Sequence, residues 1–147
     1  MTGDGGFTLI ELMVAVAILA LAAALFAPGR LGGSEVLEGK SAAREIAAGL
    51  RRARSAAIVS GTETVFLIDV DKRVYAAPGT APAPLPAKAR LAMRTGAAEL
   101  KGGGSGGIRF FPDGGSTGGG VSLEEGGRSW TIRVDWMTGR VDVDEAS

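Results

Sequence analysis

Apolar and polar positions divide the chain into three zones. In the first, Phe7 to Ala27 (FTLIELMVAVAILALAAALFA), nearly every residue is apolar. As a helix, this run of about 21 residues reaches ~31 Å, the ~30 Å hydrocarbon thickness of a bilayer. Ala15, Ala17, Ala20, Ala22, Ala23 and Ala24 supply the small side chains that let helices pack closely in lipid. Pro28-Gly29 then breaks the helix, and Gly32-Gly33 adds a flexible step. In the second zone Ser34 is placed to cap a new helix, with Glu35 and Glu38 in its first turns. From Glu35 to Ser60 the pattern is helical, with Ile46, Leu50, Ala53, Ala57 and Ile58 forming one apolar stripe. Arg44, Arg51, Arg52 and Arg54 fall beside or opposite it, which predicts a solvated face in preference to a nucleic-acid patch. Gly61 fits the C′ position.

Beyond Gly61 the period drops to two. Thr64–Val70 reads as a strand, Asp71-Lys72 as a turn and Arg73–Ala76 as the hairpin partner. The Pro-rich stretch 78–86 predicts an extended connection, and Arg90–Thr95 a further strand. The last third alternates strands (108–111, 121–123, 130–136, 140–143) with Gly-rich turns, predicting an antiparallel meander. Gly102–Gly107 contains a GxGxxG spacing but opens no helix and precedes no Gly-Lys-Ser/Thr. It therefore reads as a flexible surface loop, not a phosphate cradle.

Composition narrows the chemistry. Sixteen basic residues balance sixteen acidic ones, so net charge points to no polyanionic or acidic partner. Cys and His are both absent, which removes thiol nucleophiles, disulfides, the commonest metal ligand and the usual general base. The predicted protein has no catalytic residues, no metal and no cofactor. Asp69 and Asp71 could ligate a cation, but such turn carboxylates are better read as turn formers. One ionisable residue stands inside the apolar run, Glu11, and a charge there is a functional-site hypothesis by default.

Gly6-Phe7-Thr8-Leu9-Ile10-Glu11 resembles the processing site of type IV pilins and of the pseudopilins of type II secretion. The resemblance implies cleavage by prepilin peptidase between Gly6 and Phe7, which keeps the apolar core as an anchor. It also implies N-methylation of Phe7, and a registry role for Glu11, whose carboxylate meets the N-terminal amine of a neighbouring subunit. The segment before the site carries Asp4 and no Lys or Arg, a departure from the basic leaders of pilins. FFPDGGSTGG (110–119) and IRVDWMTGRV (132–141) are similar to the C-terminal signature of the GspH/FimT family.

That family implies an α+β, pilin-like fold: a long N-terminal helix, transmembrane in its first half, packed on an antiparallel β-sheet domain. The expected divisions are a leader at 1–6, a transmembrane segment at 7–27, a periplasmic continuation of the helix at 28–60 and a β domain at 61–147. The implied role is a minor pseudopilin, a structural subunit that helps export folded proteins, anchored in the bacterial inner membrane with its C-terminal domain in the periplasm. Expected partners are prepilin peptidase, other major and minor pseudopilins, and the inner-membrane secretion platform. The alternative is a minor type IV pilin of a pilus or DNA-uptake system. Within the signature, Gly139 is expected in a positive-φ turn with Arg140 pairing a strand neighbour. Asp142, Asp144 and Glu145 follow that arginine and would repel phosphate, so nucleic acid is not an expected partner.

Overall fold

A computed structural model describes residues 8–26, 33–95, 100–101 and 104–146. The chain divides into two compact units, Met1–Gly32 and Gly33–Ser147. In the first, helix α1 spans Leu9–Phe26. Among the described residues no helix is long and apolar enough to cross a membrane. The 18 described residues of α1 reach ~27 Å, short of the ~20 residues a crossing needs. Phe7 and Ala27, the ends of the predicted span, lie outside the described residues, as do Pro28-Gly29 and Gly32.

The second unit opens with α2, Gly33–Ser60, so Ser34 lies one residue inside the helix. Among the described residues nine strands follow: β1 Thr64–Asp69, β2 Val74–Ala76, β3 Ala83–Pro84, β4 Arg90–Thr95, β5 Leu100–Lys101, β6 Ser105–Phe110, β7 Gly119–Glu125, β8 Arg128–Val134 and β9 Val141–Ala146. They form two sheets, ordered β3-β2-β1-β6-β5 and β4-β7-β8-β9, with every pairing antiparallel. The predicted meander is therefore correct for β7-β8-β9 only. Strand β6 belongs to the other sheet and pairs with β1, and the segment 111–118 carries the chain from one sheet to the other.

Helix α2 packs against β1, β6, β7, β8 and β9. Its inner face is built of small residues, Ala42, Ala43, Ala47, Ala53 and Ala57 around Ile46 and Leu50, all buried. The bulk comes from the sheets, through Phe66, Phe110, Trp130 and Ile132. Two helical glycines make this approach possible. A Cβ on Gly39 would lie 2.4 Å from Trp130 Cζ3, and one on Gly49 would lie 2.6 Å from Phe66 Cε2. Interiors packed this tightly leave no room for even one added carbon, and the close fit offsets the ~1 kcal/mol that Gly costs within a helix. Ile58 departs from its predicted place in the stripe and is 45% exposed. It follows Ala57 by one residue, about 100° around the helix axis, which carries it off the buried face.

Two loop expectations also change. Gly106 and Gly107 are buried in β6, opposite Ile68 and Leu67 of β1, in place of a surface loop. Backbone pairing needs no side chain, so a Gly-rich segment serves as a strand where its neighbours come close. The Pro-rich connection contains β3, at the sheet edge where proline's missing N–H is tolerated, and it buries Leu85. Gly61 ends α2 with φ +64°, as expected of a C′ glycine.

Candidate functional site

The residues singled out by the sequence lie in two places. Gly6 and Phe7 fall outside the described residues. Glu11 is exposed in the first turn of α1, and its carboxylate meets no basic group among the described residues. Its backbone N–H donates to the Thr8 carbonyl at 3.0 Å and to Thr8 Oγ1 at 3.3 Å. Thr8 therefore caps the helix with Glu11 at N3, the Thr-x-x-Glu spacing of a capping box. A carboxylate at this position also favours the positive end of the helix dipole. This local role was readable in the sequence and adds to any role Glu11 has between subunits.

The second place is a pair of turns in the C-terminal signature. In the first turn, the Gly114 N–H donates to the Phe111 carbonyl and the Phe111 N–H to the Gly115 carbonyl, both at 3.0 Å. Asp113 Oδ1 accepts from the Gly115 N–H at 2.9 Å, and the buried Ser116 Oγ from the Gly118 N–H at 2.7 Å. In the second turn, Asp135 Oδ1 accepts from the Met137 N–H at 3.1 Å, and from the Thr138 N–H and Thr138 Oγ1 at 2.8 Å each. These bonds hold the Asp135 carboxyl below the usual aspartate range, the Thr138 backbone N–H contributing most. The Ser116 N–H donates to the Trp136 carbonyl at 2.8 Å and joins the two turns.

A helix arginine completes the joint. Arg54 Nε reaches the Gly114 carbonyl at 3.1 Å and the Thr138 carbonyl at 3.0 Å, while Arg51 Nη2 donates to the Val141 carbonyl at 3.0 Å. The expectation of a wholly solvated arginine face is therefore corrected for Arg51 and Arg54. Both clamp backbone carbonyls, because α2 lies directly over the turns. Gly139 takes φ +63° as expected, and a Cβ there would sit 2.3 Å from the Gly114 carbonyl oxygen. Arg140 pairs with Asp142 at 2.9 Å, as its strand-neighbour reading requires.

The carboxylates of the acidic tail are engaged in ion pairs. Asp144 pairs with Arg133, and Glu145 binds Arg128 at 2.7 Å and Lys40 at 2.9 Å. Each carboxylate of the tail thus has a basic partner, Asp142 finding its own in Arg140. Cross-strand residues on β8 supply Arg128 and Arg133, a placement hidden until the β8–β9 register is known. At the Asp69 turn, Asp69 Oδ1 accepts from the Lys72 N–H at 2.8 Å, the work of a turn former.

An apolar N-terminal helix capped by Thr8, with a helix laid across antiparallel sheets in the second unit, defines a pilin-like protein. The minor pseudopilin EpsH from the Type 2 Secretion System of Vibrio cholerae shares the fold, with TM-score 0.56 and 18% identity over 73% of this chain and 96% of that one. Residues 1–27 match the prokaryotic N-terminal methylation motif, and residues 42–139 match the family described as type II transport protein GspH. Over 137 residues the chain is 39% identical to the Type II secretion system protein H of Xanthomonas campestris pv. campestris, covering 92% of this chain and 80% of that one. The chain belongs to the GspH family of type II transport proteins.

Proposed function

We propose that this chain is a minor pseudopilin, a structural subunit of a type II secretion filament and not an enzyme. The observation that carries the reading is the joining, in one chain, of an N-terminal methylation motif to a GspH domain. In this reading residues 7–27 anchor the precursor in the inner membrane and residues 28–147 stand in the periplasm. Prepilin peptidase cleaves between Gly6 and Phe7, and Phe7 is then N-methylated. The subunit leaves the membrane and stacks its apolar helix with those of other pseudopilins, on the inner-membrane secretion platform. Glu11 meets the new N-terminal amine of a neighbour, a pairing that relieves the cost of a lone charge among apolar helices.

The test is complementation of a strain lacking this chain. Glu11→Ala is expected to insert in the membrane at normal level while secretion falls roughly ten-fold or more. Gly6→Leu is expected to leave an uncleaved precursor of lower gel mobility. Normal secretion by Glu11→Ala sinks the pairing, and normal cleavage of Gly6→Leu sinks the processing site.

A further inference from the structure

Glu125 is a buried carboxylate that neither the core nor the signature turns put to use. It ends β7 on the buried side of the strand, in step with Val121 and Leu123. Only 6% of it is exposed, and neither carboxylate oxygen has a hydrogen-bond partner among the described residues. Immediately after it, Gly126 and Gly127 take φ +60° and +78° and turn the chain tightly into β8. That turn sits on the start of α2: a Cβ on Gly126 would lie 2.7 Å from Val36 Cγ2 and 3.5 Å from Glu35 Cβ. The helix and the hairpin therefore touch with no side chain of the turn between them.

The cations around this carboxyl are committed elsewhere. On the connection before β4, Lys88 Nζ lies 2.7 Å from Glu35 Oε1. Arg73, just ahead of β2, donates through Nη2 to the Pro86 and Ala89 carbonyls. Arg128, the cross-strand partner of Glu125, turns to Glu145 at 2.7 Å, and Lys40 binds the same glutamate at 2.9 Å. From α2, Glu38 and Glu35 repel a charge on Glu125, while Lys88 and Arg73 attract it without a hydrogen bond. Burial, the largest cause, and the repulsion outweigh the attraction and hold the carboxyl above the ordinary glutamate range. An ionised carboxylate left unpaired is far costlier to bury than a neutral one. Beside the turn runs a groove of about 460 Å³ lined by Lys88, Glu125, Gly126, Gly127 and Arg128, so a small displacement admits water. Helix ends are also the segments that open most readily.

We infer that Glu125 makes the contact between the β7–β8 turn and the first turns of α2 a pH-sensitive clasp. The clasp is closed while the carboxyl is protonated and opens when ionisation sets an unpaired charge under the helix. It belongs to the second unit alone and does not rest on the filament reading. Hydrogen exchange of the full chain in detergent micelles, corrected for the intrinsic pH dependence of exchange and read by mass spectrometry, tests it. Protection of the amides from Leu37 to Lys40, whose bonds close the first helical turn, is expected to fall roughly ten-fold between about pH 5 and about pH 8, the factor that one unit of carboxyl shift carries. At the higher pH, exchange there should ignore sub-denaturing urea, the mark of a local opening, while residues 46–57 exchange more slowly and follow urea. Glu125→Gln is expected to keep these amides protected at both pH values, and Glu38→Gln to move the change to lower pH. Constant protection in the wild type overturns the clasp, as does a fall that survives in Glu125→Gln or that residues 46–57 share with the same urea dependence. A rise in protection with pH, as capture of the carboxylate by Arg73 would give, overturns it too. Should Glu125→Gln not fold, Glu38→Gln decides alone, and an unmoved midpoint in that variant sinks the proposal.

Discussion

The two helices of this chain solve opposite problems. In α1 every large apolar side chain from Leu9 to Leu21 is exposed, and no face is set apart for burial. In α2 one narrow face of Gly and Ala sinks against Trp130 and Phe66, and the opposite face carries charge. Burial of apolar area is the main driving force available to either helix. Helix α2 finds that burial inside its own domain, whereas the described residues of α1 leave their large side chains uncovered within their own unit. The contrast teaches that changes in α2 should read out as folding and changes in α1 as assembly.

The sharpest way to break that contrast is a pair of truncations in the full chain, held in detergent micelles. Trp130→Ala empties a fully buried site under α2 and is expected to cost about 3–5 kcal/mol in urea unfolding followed by the strand signal in circular dichroism. Leu19→Ala in α1 is expected to leave the same transition within ~0.5 kcal/mol. An equal loss from both would show that α1 is part of the domain's own core.

Arg54 sharpens the comparison further, because it ties the outer part of α2 to the signature turns. Arg54→Ala strands two carbonyls that share one guanidinium and is expected to cost about 1.5–3 kcal/mol, the range for hydrogen bonds to charged groups. The matching change in Arg52, exposed on the same helix, is expected to fall within ~0.5 kcal/mol. Indistinguishable unfolding midpoints for the two variants would remove Arg54 as a clamp.

These pairs also mark where sequence was legible. The long apolar run, the 3.6-residue stripe and the period-two strands are local signals, and they located α1, α2 and most strands. Partner choice across the fold is not local. Nothing near Ile108 says that β6 leaves the meander to pair with β1, and nothing near Arg54 says that its guanidinium lies 60 residues away on Gly114. Gly39 and Gly49 are unfavourable helix residues by propensity, and only the aromatic rings of distant strands explain them. Of the site, Glu11 and the glycine turns were readable. Missed were the Thr8 cap, though its Thr-x-x-Glu spacing was in view, and the Ser116–Trp136 bond that joins the two signature turns, which no sequence period encodes.

The smallest effect concerns two glutamates in the second unit whose surroundings differ in sign. Glu145 lies between Lys40 and Arg128, and these cations pull its carboxyl down to about 2. Glu125 is only 6% exposed, finds no hydrogen-bond partner for either oxygen among the described residues, and is pushed up by burial and by Glu38 and Glu35, with Lys88 and Arg73 acting against them. A depressed carboxyl adds stability above its unfolded pKa and loses it as pH falls toward the folded value. The contribution of Glu145 therefore fades from the ordinary glutamate range, ~4.3, down to about 2. A raised carboxyl does the reverse: its contribution is complete below the unfolded pKa and is lost as pH rises through the folded value. Glu145→Gln should flatten the acid limb of a stability–pH curve, and Glu125→Gln should flatten the decline on the other side, each measured by urea unfolding from pH 2 upward. If both variants keep the wild-type curve, neither glutamate is linked to folding.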